Sequence, residues 1–214
     1  MEVGRNDYDD VALRRVYDGM APSYRWMALV NDTVFGATHL RRWVMSRARG
    51  DVLDVACGTG ENFPLLRDVD SLTAVDLSPA MLDQARARAG RLGLDVNLVE
   101  MSAERLEFPD GTFDTVTTAM STCTFPDPRG ALREMARVTR PGGHLLLLEH
   151  GRSRIDWIAR LQDRRAERHY RQAGCRWNQD VMAVLSTAGL RVDATRSRTV
   201  GVFTAVVARA GEPT

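Results

Sequence analysis

The chain has 214 residues, enough for one domain with a substantial core and too few for two. Its 29 basic and 28 acidic residues leave a formal charge of +1, so the charge balance gives no reason to expect a nucleic-acid partner. Cys57, Cys123 and Cys175 are odd in number and widely spaced, with no CxxC pair, which predicts a reducing compartment, no disulfide framework and no structural metal.

In chain order, residues 7–47 read as helices, with Val11, Ala12, Val16 and Met20 at helical spacing and Pro22 interrupting the run. The aromatics of this segment, Tyr17, Tyr24, Trp26, Phe35 and Trp43, suit either packing or ligand contact. The first residues lack the apolar core of a signal peptide, and the longest strongly apolar run, 145–148, is far too short to span a bilayer. A cytoplasmic protein without an integral membrane segment is expected. From Asp51 onward, strands at 52–55, 72–75, 96–99, 115–119 and 145–148 alternate with helices through 65–66, at 79–91 and at 129–138. Such alternation predicts an α/β fold of parallel strands with crossover helices. Ser78-Pro79 supplies an N-cap and a first-turn proline, and Pro141-Gly142-Gly143 reads as a helix stop. Trp157, Ile158 and Leu161 form an apolar stripe expected in the core, and Tyr170, Cys175 and Trp177 surround a break at Gly174. The runs 190–195 and 201–209 predict an antiparallel strand pair at the end of the chain.

The most informative stretch is DVLDVACGTGE, residues 51–61, a short apolar strand followed by a glycine turn. Gly58 and Gly60 lack a Cβ, so the turn can take positive φ and a ligand can lie against bare backbone. About 20 residues further on, the next strand ends at Asp76, where a carboxylate can accept two hydrogen bonds from a ribose. Strand, glycine turn, helix, strand, acid describes a nucleoside-binding unit. The third glycine of a dinucleotide fingerprint is replaced by Phe63, which disfavours an NAD-dependent oxidoreductase. A nucleoside-binding module without turnover is the other alternative class.

The ordered runs DVLDVACGTGEN, AVDLSPAMLDQAR, SAERLEFPDGTFDTV and RVTRPGGHLLLLEH resemble the motif series of class I S-adenosylmethionine-dependent methyltransferases, particularly the ubiquinone/menaquinone-biosynthesis C-methyltransferase group. The upstream segment YDGMAPSYRWMALVNDTVFGATHLRRW is similar to that group's N-terminal region. Beyond residue 150 the tail looks more like the methyltransferase-like thiol S-methyltransferases, with Glu149-His150 and a later Gly174-Cys175. The resemblance implies a Rossmann-like doubly wound sheet of about seven strands, the last antiparallel, with a helical cap. It also implies one methyltransferase domain over 1–214, with a lid at 1–46, a cofactor-binding core at 47–151, and acceptor-pocket helices plus a strand pair at 152–214.

By the same resemblance, Asp54 lies near the methionine end of S-adenosylmethionine, bordered by the backbone of Gly58, Thr59 and Gly60, while Asp76 takes the ribose. Leu77 and Met81 offer apolar surface to the adenine, Ser102, Ala103 and Glu104 read its edge, and Ala119 lies by the amino-acid end. Tyr17 and Tyr24 are the lid residues. Family members often carry Asp after the second tyrosine, where this chain has Arg25, so contacts made by that acid are not carried over.

Methyl transfer needs positioning above all, worth on the order of 7 to 11 kcal/mol when reactants are held in line. A thiol is a few per cent ionised at pH 7, whereas a phenol with pKa near 10 needs help from a base. His150, at the end of the 145–148 strand, is the candidate catalytic base. His39 and His169 read as surface residues, and His144 has no assigned role. Cys175, Trp177 and Asn178 are pocket candidates by resemblance, with Asn178 alternatively capping a helix near Asp180. The expected partner is a small-molecule acceptor: a thiol or other heteroatom of a metabolite, or alternatively a quinol carbon. A homodimer is left open.

Overall fold

The computed structural model describes residues 9–34 and 36–210, with 25–34 given by backbone alone; the side chains of Arg25, Trp26 and Phe35 therefore lie outside the described part. Helices α1 (Asp10–Val34) and α2 (Ala37–Met45) precede a seven-stranded sheet. Its strands are β1 (Asp51–Val55), β2 (Ser71–Asp76), β3 (Asn97–Glu100), β4 (Phe113–Ala119), β5 (Thr139–His150), β6 (Leu190–Arg198) and β7 (Phe203–Ala210). Helices α3 (Pro79–Leu92), α4 (Pro128–Val138), α5 (Asp156–Ala173) and α6 (Val181–Thr187) fill the connections.

The strand order is β3-β2-β1-β4-β5-β7-β6, parallel except for β7, which runs antiparallel to both its neighbours. The predicted Rossmann-like architecture is therefore present, with the antiparallel strand inserted between β5 and β6. Strand order reverses between β1 and β4, which places a crevice at their carboxyl ends.

Parallel strands covered on both faces need apolar residues at every position, and β5 shows why its LLLL run is a strand: residues 145–148 are all 0% exposed. Leu145 and Leu147 belong to one core cluster with Leu132, Met135, Val184 and Leu185 of α4 and α6, and Leu146 and Leu148 to the other with Leu40, Val44, Leu82 and Ala85 of α2 and α3. Each buried leucine contributes about 1.5 to 3 kcal/mol relative to exposure.

Four local expectations are corrected. Pro22 lies inside α1 and does not end it, since the helix continues to Val34. Only ten residues separate Gly60 from Ser71, and Pro64 lies among them, so the expected helix through 65–66 shrinks to a 3₁₀ turn at Phe63–Leu65. Helix α4 already stops at Val138, and Pro141-Gly142-Gly143 forms an irregularity within β5. A Cβ on Gly143 would lie 2.7 Å from the carbonyl oxygen of Asp114, which explains the glycine. Finally, Trp157 and Leu161 are 67% and 40% exposed, so the apolar stripe of α5 is not core; the helix buries Ala159, Gln162 and Tyr170 instead.

Gly60 has φ +78, and a Cβ there would sit 2.6 Å from the Phe63 ring. Its glycine requirement thus comes from Phe63, which folds back under the turn. Gly58 has φ +54, and a Cβ there would meet only the Tyr24 ring, in ordinary contact at 3.7 Å. Gly60→Ala is therefore expected to lower stability by about 1 to 3 kcal/mol, and Gly58→Ala by about 1 kcal/mol or less. Urea denaturation of the two variants checks the difference.

Candidate active site

The carboxyl ends of β1, β2 and β4 open into a cleft under α1. Tyr17, Tyr24, Gly58, Asp76, Leu77 and Met81 line it, together with Ser102, Ala103, Glu104 and Ala119. Asp76 ends β2, and its Oδ2 accepts from Gly58 N at 2.8 Å while Oδ1 accepts from Ser78 N at 2.9 Å. Each oxygen keeps a lone pair for a further donor. Ser78 caps α3 by accepting from Met81 N, and its hydroxyl donates to Asp18 of α1 at 2.6 Å. The cap of α3 thus ties α1 to the rim of the cleft. Asp127 N donates to Glu104, fixing that carboxylate on the wall.

Three predicted cofactor residues lie elsewhere. Asp54 is 0% exposed beneath the turn, where Oδ1 accepts from Asn62 Nδ2 at 2.9 Å and Thr117 Oγ1 at 2.7 Å. Thr59 is buried and donates to Glu61, and Gly60 backs onto Phe63. These three shape the turn and do not line the cleft. Sequence reasoning missed Asn62 and Arg41, whose Nη1 donates to Asn62 Oδ1 at 2.6 Å and so orders the chain Arg41–Asn62–Asp54. It also missed Ala56 and Met120, non-glycine residues at φ 52 and 57 that line the cleft. Backbone in this region is held at a cost and clusters at ligand sites. No sequence signal marks such positions.

The site is rich in carboxyls short of positive charge. Burial raises Asp54 and Asp76 to about 6 and Glu149 to about 7. Asp54 Oδ2 and Glu149 Oε2 are buried and have no hydrogen-bond partner among the described residues. A ligand carrying an ammonium and a sulfonium suits this surroundings, because buried carboxylates favour a nearby cation. Protonation of Asp76, which lines the cleft, weakens its charge-assisted acceptance of the ribose hydroxyls, so affinity should fall as pH drops. Between pH 7 and pH 5, calorimetry should show S-adenosylmethionine binding weaken at least tenfold. For the free protein the sign is opposite. Groups with raised folded-state values bind extra protons, so their contribution to stability is lost as pH rises from about 4 to about 6.

A second chamber of about 550 Å³ adjoins the cleft, with a mainly apolar lining that includes Ile158, Val202 and Phe203. Tyr17, Tyr24, Met120 and Thr124 line both spaces and form the partition. Tyr17 and Tyr24 meet edge to face at 6.4 Å, and burial raises both phenols, which stay protonated at neutral pH. His150, at the end of β5, lines the chamber. Its Nε2 lies 3.2 Å from Cys123 Sγ and 3.3 Å from Cys175 Sγ, and the two sulfurs are 3.3 Å apart. The hydrogen bond with Cys123 draws the Cys175 thiol well below its usual value, against burial and with help from His150. Burial pushes His150 down, but the Cys175 thiolate and Glu149 outweigh it and leave the imidazole raised.

Cys175 and Trp177 line this chamber as expected, and so does His169, which stacks on Trp177 at 4.6 Å and is not a free surface residue. Asn178 is outside it and donates to Asp163 at 2.9 Å; Asp180 caps α6 in its place. Cys123 was missed as a site residue.

The family pattern described as a methyltransferase domain matches residues 53–147. The mitochondrial methyltransferase OMS1 of Saccharomyces cerevisiae is 32% identical over 188 residues, 79% of this chain and 40% of that protein. A phosphatidylethanolamine N-methyltransferase of Cereibacter sphaeroides is 36% identical over 140 residues, covering 62% of this chain and 68% of its own length. The ubiquinone/menaquinone biosynthesis C-methyltransferase UbiE of a Marinomonas species is 32% identical over 164 residues, 71% of this chain and 64% of that protein. The chain thus spans less than half of the first of these relatives and about two thirds of the others. The (4+2) cyclase SpnF superposes with a TM-score of 0.75 over 97% of this chain and 99% of its own at 18% identity, a likeness of fold alone.

With a βαβ nucleoside cleft at the sheet's switch point and these relatives, the chain belongs to the class I S-adenosylmethionine-dependent methyltransferases. Within that class it is similar to the ubiquinone/menaquinone C-methyltransferase group, and S-adenosylmethionine is its cofactor. No helix among the described residues is long and apolar enough to cross a membrane.

Proposed function

We propose that this enzyme methylates a thiol or other heteroatom of a small, partly apolar metabolite held in the second chamber. The observation that carries the reading is the Cys123–His150–Cys175 cluster, set in an apolar chamber and separated from the cofactor cleft only by the partition that both share. Bound S-adenosylmethionine supplies an electrophilic methyl group. Gly58 and Asp76 hold the nucleoside, Met81 and Leu77 pack the base, and Tyr17, hydrogen-bonded to Thr124, keeps water from the passage between the two spaces. His150 accepts the proton that an acceptor of high pKa must lose, with the thiolate of Cys175 sharing the charge.

A second reading, methylation of a quinol carbon, is favoured by the named activity of the UbiE relative together with the apolar chamber lining. The three free cysteines support a reducing, cytoplasmic setting. The functional test is incubation with labelled donor and a panel of thiols, phenols, amines and quinols. Label in a thioether supports the leading reading, and label on a quinol ring replaces it. A thermal-shift panel tests the cofactor first. At one hundred times its dissociation constant S-adenosylmethionine should stabilise the fold by about 2.7 kcal/mol, and NAD should give no shift.

A further inference from the structure

Cys123 Sγ, His150 Nε2 and Cys175 Sγ form a nearly equilateral triangle with edges of 3.2, 3.3 and 3.3 Å. Among the described residues they are the group whose ligating atoms could surround a metal ion, all lying within 4.8 Å of one another. Tetrahedral zinc, with bonds of about 2.3 Å to sulfur and about 2.0 Å to nitrogen, would set edges of roughly 3.5 to 3.8 Å. The triangle therefore needs to open by only a few tenths of an ångström. The ligands come from three segments: the loop after β4, the tip of β5, and the loop after α5. Two of them are tied directly, since Arg176 N donates to Cys123 O at 2.9 Å. The His150 ring also hydrogen-bonds the backbone of Trp177, the type of outer contact that fixes a ligating imidazole's tautomer and orientation.

We propose that Cys123, His150 and Cys175 bind a zinc-class ion whose fourth coordination position opens into the acceptor chamber. Two thiolates and an imidazole select a borderline-soft ion over magnesium or calcium, which require oxygen ligands. Three protein ligands with one position left for a small molecule is the pattern of catalytic zinc, whereas structural sites are closed by a fourth side chain. Loading the ion releases two protons to solvent, one from Cys123 and one from the shared His150–Cys175 pair. All three ligands line the chamber, so a substrate thiol there can take the open position. It gives its proton to solvent and binds as thiolate; once methylated, the thioether is a weaker ligand and leaves.

The fourth-ligand part rests on the thiol reading above, while metal binding itself does not. In the loaded protein His150 is a ligand, and the acceptor is ionised by the metal. A bound ion would reverse the sequence-based expectation of no metal, which considered CxxC spacing and not ligands brought together from distant segments.

The full chain, reduced and freed of metal, is titrated with zinc and with cobalt(II), and metal content is measured after gel filtration. One equivalent should bind, and the cobalt form should show an intense thiolate-to-metal charge-transfer band. Cys175→Ser and His150→Ala should each lower zinc affinity at least tenfold, with S-adenosylmethionine affinity unchanged as the check on folding. Wild-type protein that binds S-adenosylmethionine yet retains below a tenth of an equivalent of either metal overturns the proposal. One equivalent of metal bound without the thiolate band, or undiminished in both variants, overturns it equally. Metal bound as described in a protein that methylates no thiol leaves the metal site standing and removes the acceptor reading.

Discussion

Replacing Asp76 with alanine is expected to weaken S-adenosylmethionine binding at least tenfold. Among the described residues, Asp76 is the cleft carboxylate that also receives the backbone of the glycine turn, through Gly58 N at 2.8 Å, and of the α3 cap, through Ser78 N at 2.9 Å. Loss of the side chain removes a charge-assisted acceptor for the ribose, worth about 1.5 to 3 kcal/mol per bond, and leaves two backbone donors unpaired. Both effects reduce affinity, and tenfold corresponds to about 1.4 kcal/mol. Asp76→Asn keeps one acceptor and should fall between wild type and alanine. Calorimetric affinities equal to wild type for both variants would show that the sugar binds elsewhere.

Replacing His150 with glutamine should lower turnover by about a hundredfold while leaving cofactor affinity unchanged. The imidazole lies beyond the partition, in the chamber with Cys123 and Cys175, and does not line the cofactor cleft. In the metal-free protein, the raised value of His150 predicts that the wild-type rate depends on pH above the ordinary histidine range, and that this dependence disappears in the variant. Turnover within tenfold of wild type, measured across pH, would take His150 out of the chemistry.

The two halves of the site differ in how far the sequence reveals them. The cofactor half is built from contiguous stretches. An apolar strand, a glycine turn, a capped helix and an acid at the next strand's end each leave a local pattern, and ten of its thirteen proposed residues line the cleft. The three that lie off the cleft do so for a physical reason. Gly60 is required by Phe63 packing beneath it, a tertiary contact that looks like ligand clearance in the sequence. Asp54 belongs to a buried relay with Asn62 and Arg41, and neither partner has a motif of its own.

The acceptor half is assembled from positions 123, 150 and 175, which only the tertiary fold brings into contact. His150 was legible because it ends a strand whose direction was clear. Cys175 was suggested by the tail's resemblance alone, and Cys123 by nothing local. The stripe of Trp157 and Leu161 misled for a similar reason: helical spacing fixes a common face but not what covers it. Likewise Pro141-Gly142-Gly143 has the composition of a helix stop, yet Gly143 serves a close approach between β4 and β5.

The position of the nucleoside decides the roles of both chambers, and a crystal structure with S-adenosylhomocysteine measures it directly. The adenosine should occupy the cleft between Gly58 and Met81, with its ribose hydroxyls on Asp76 and its sulfur directed toward the partition of Tyr17, Tyr24 and Met120. A ligand bound with its ribose away from Asp76, or its sulfur facing away from the His150 chamber, would contradict the account.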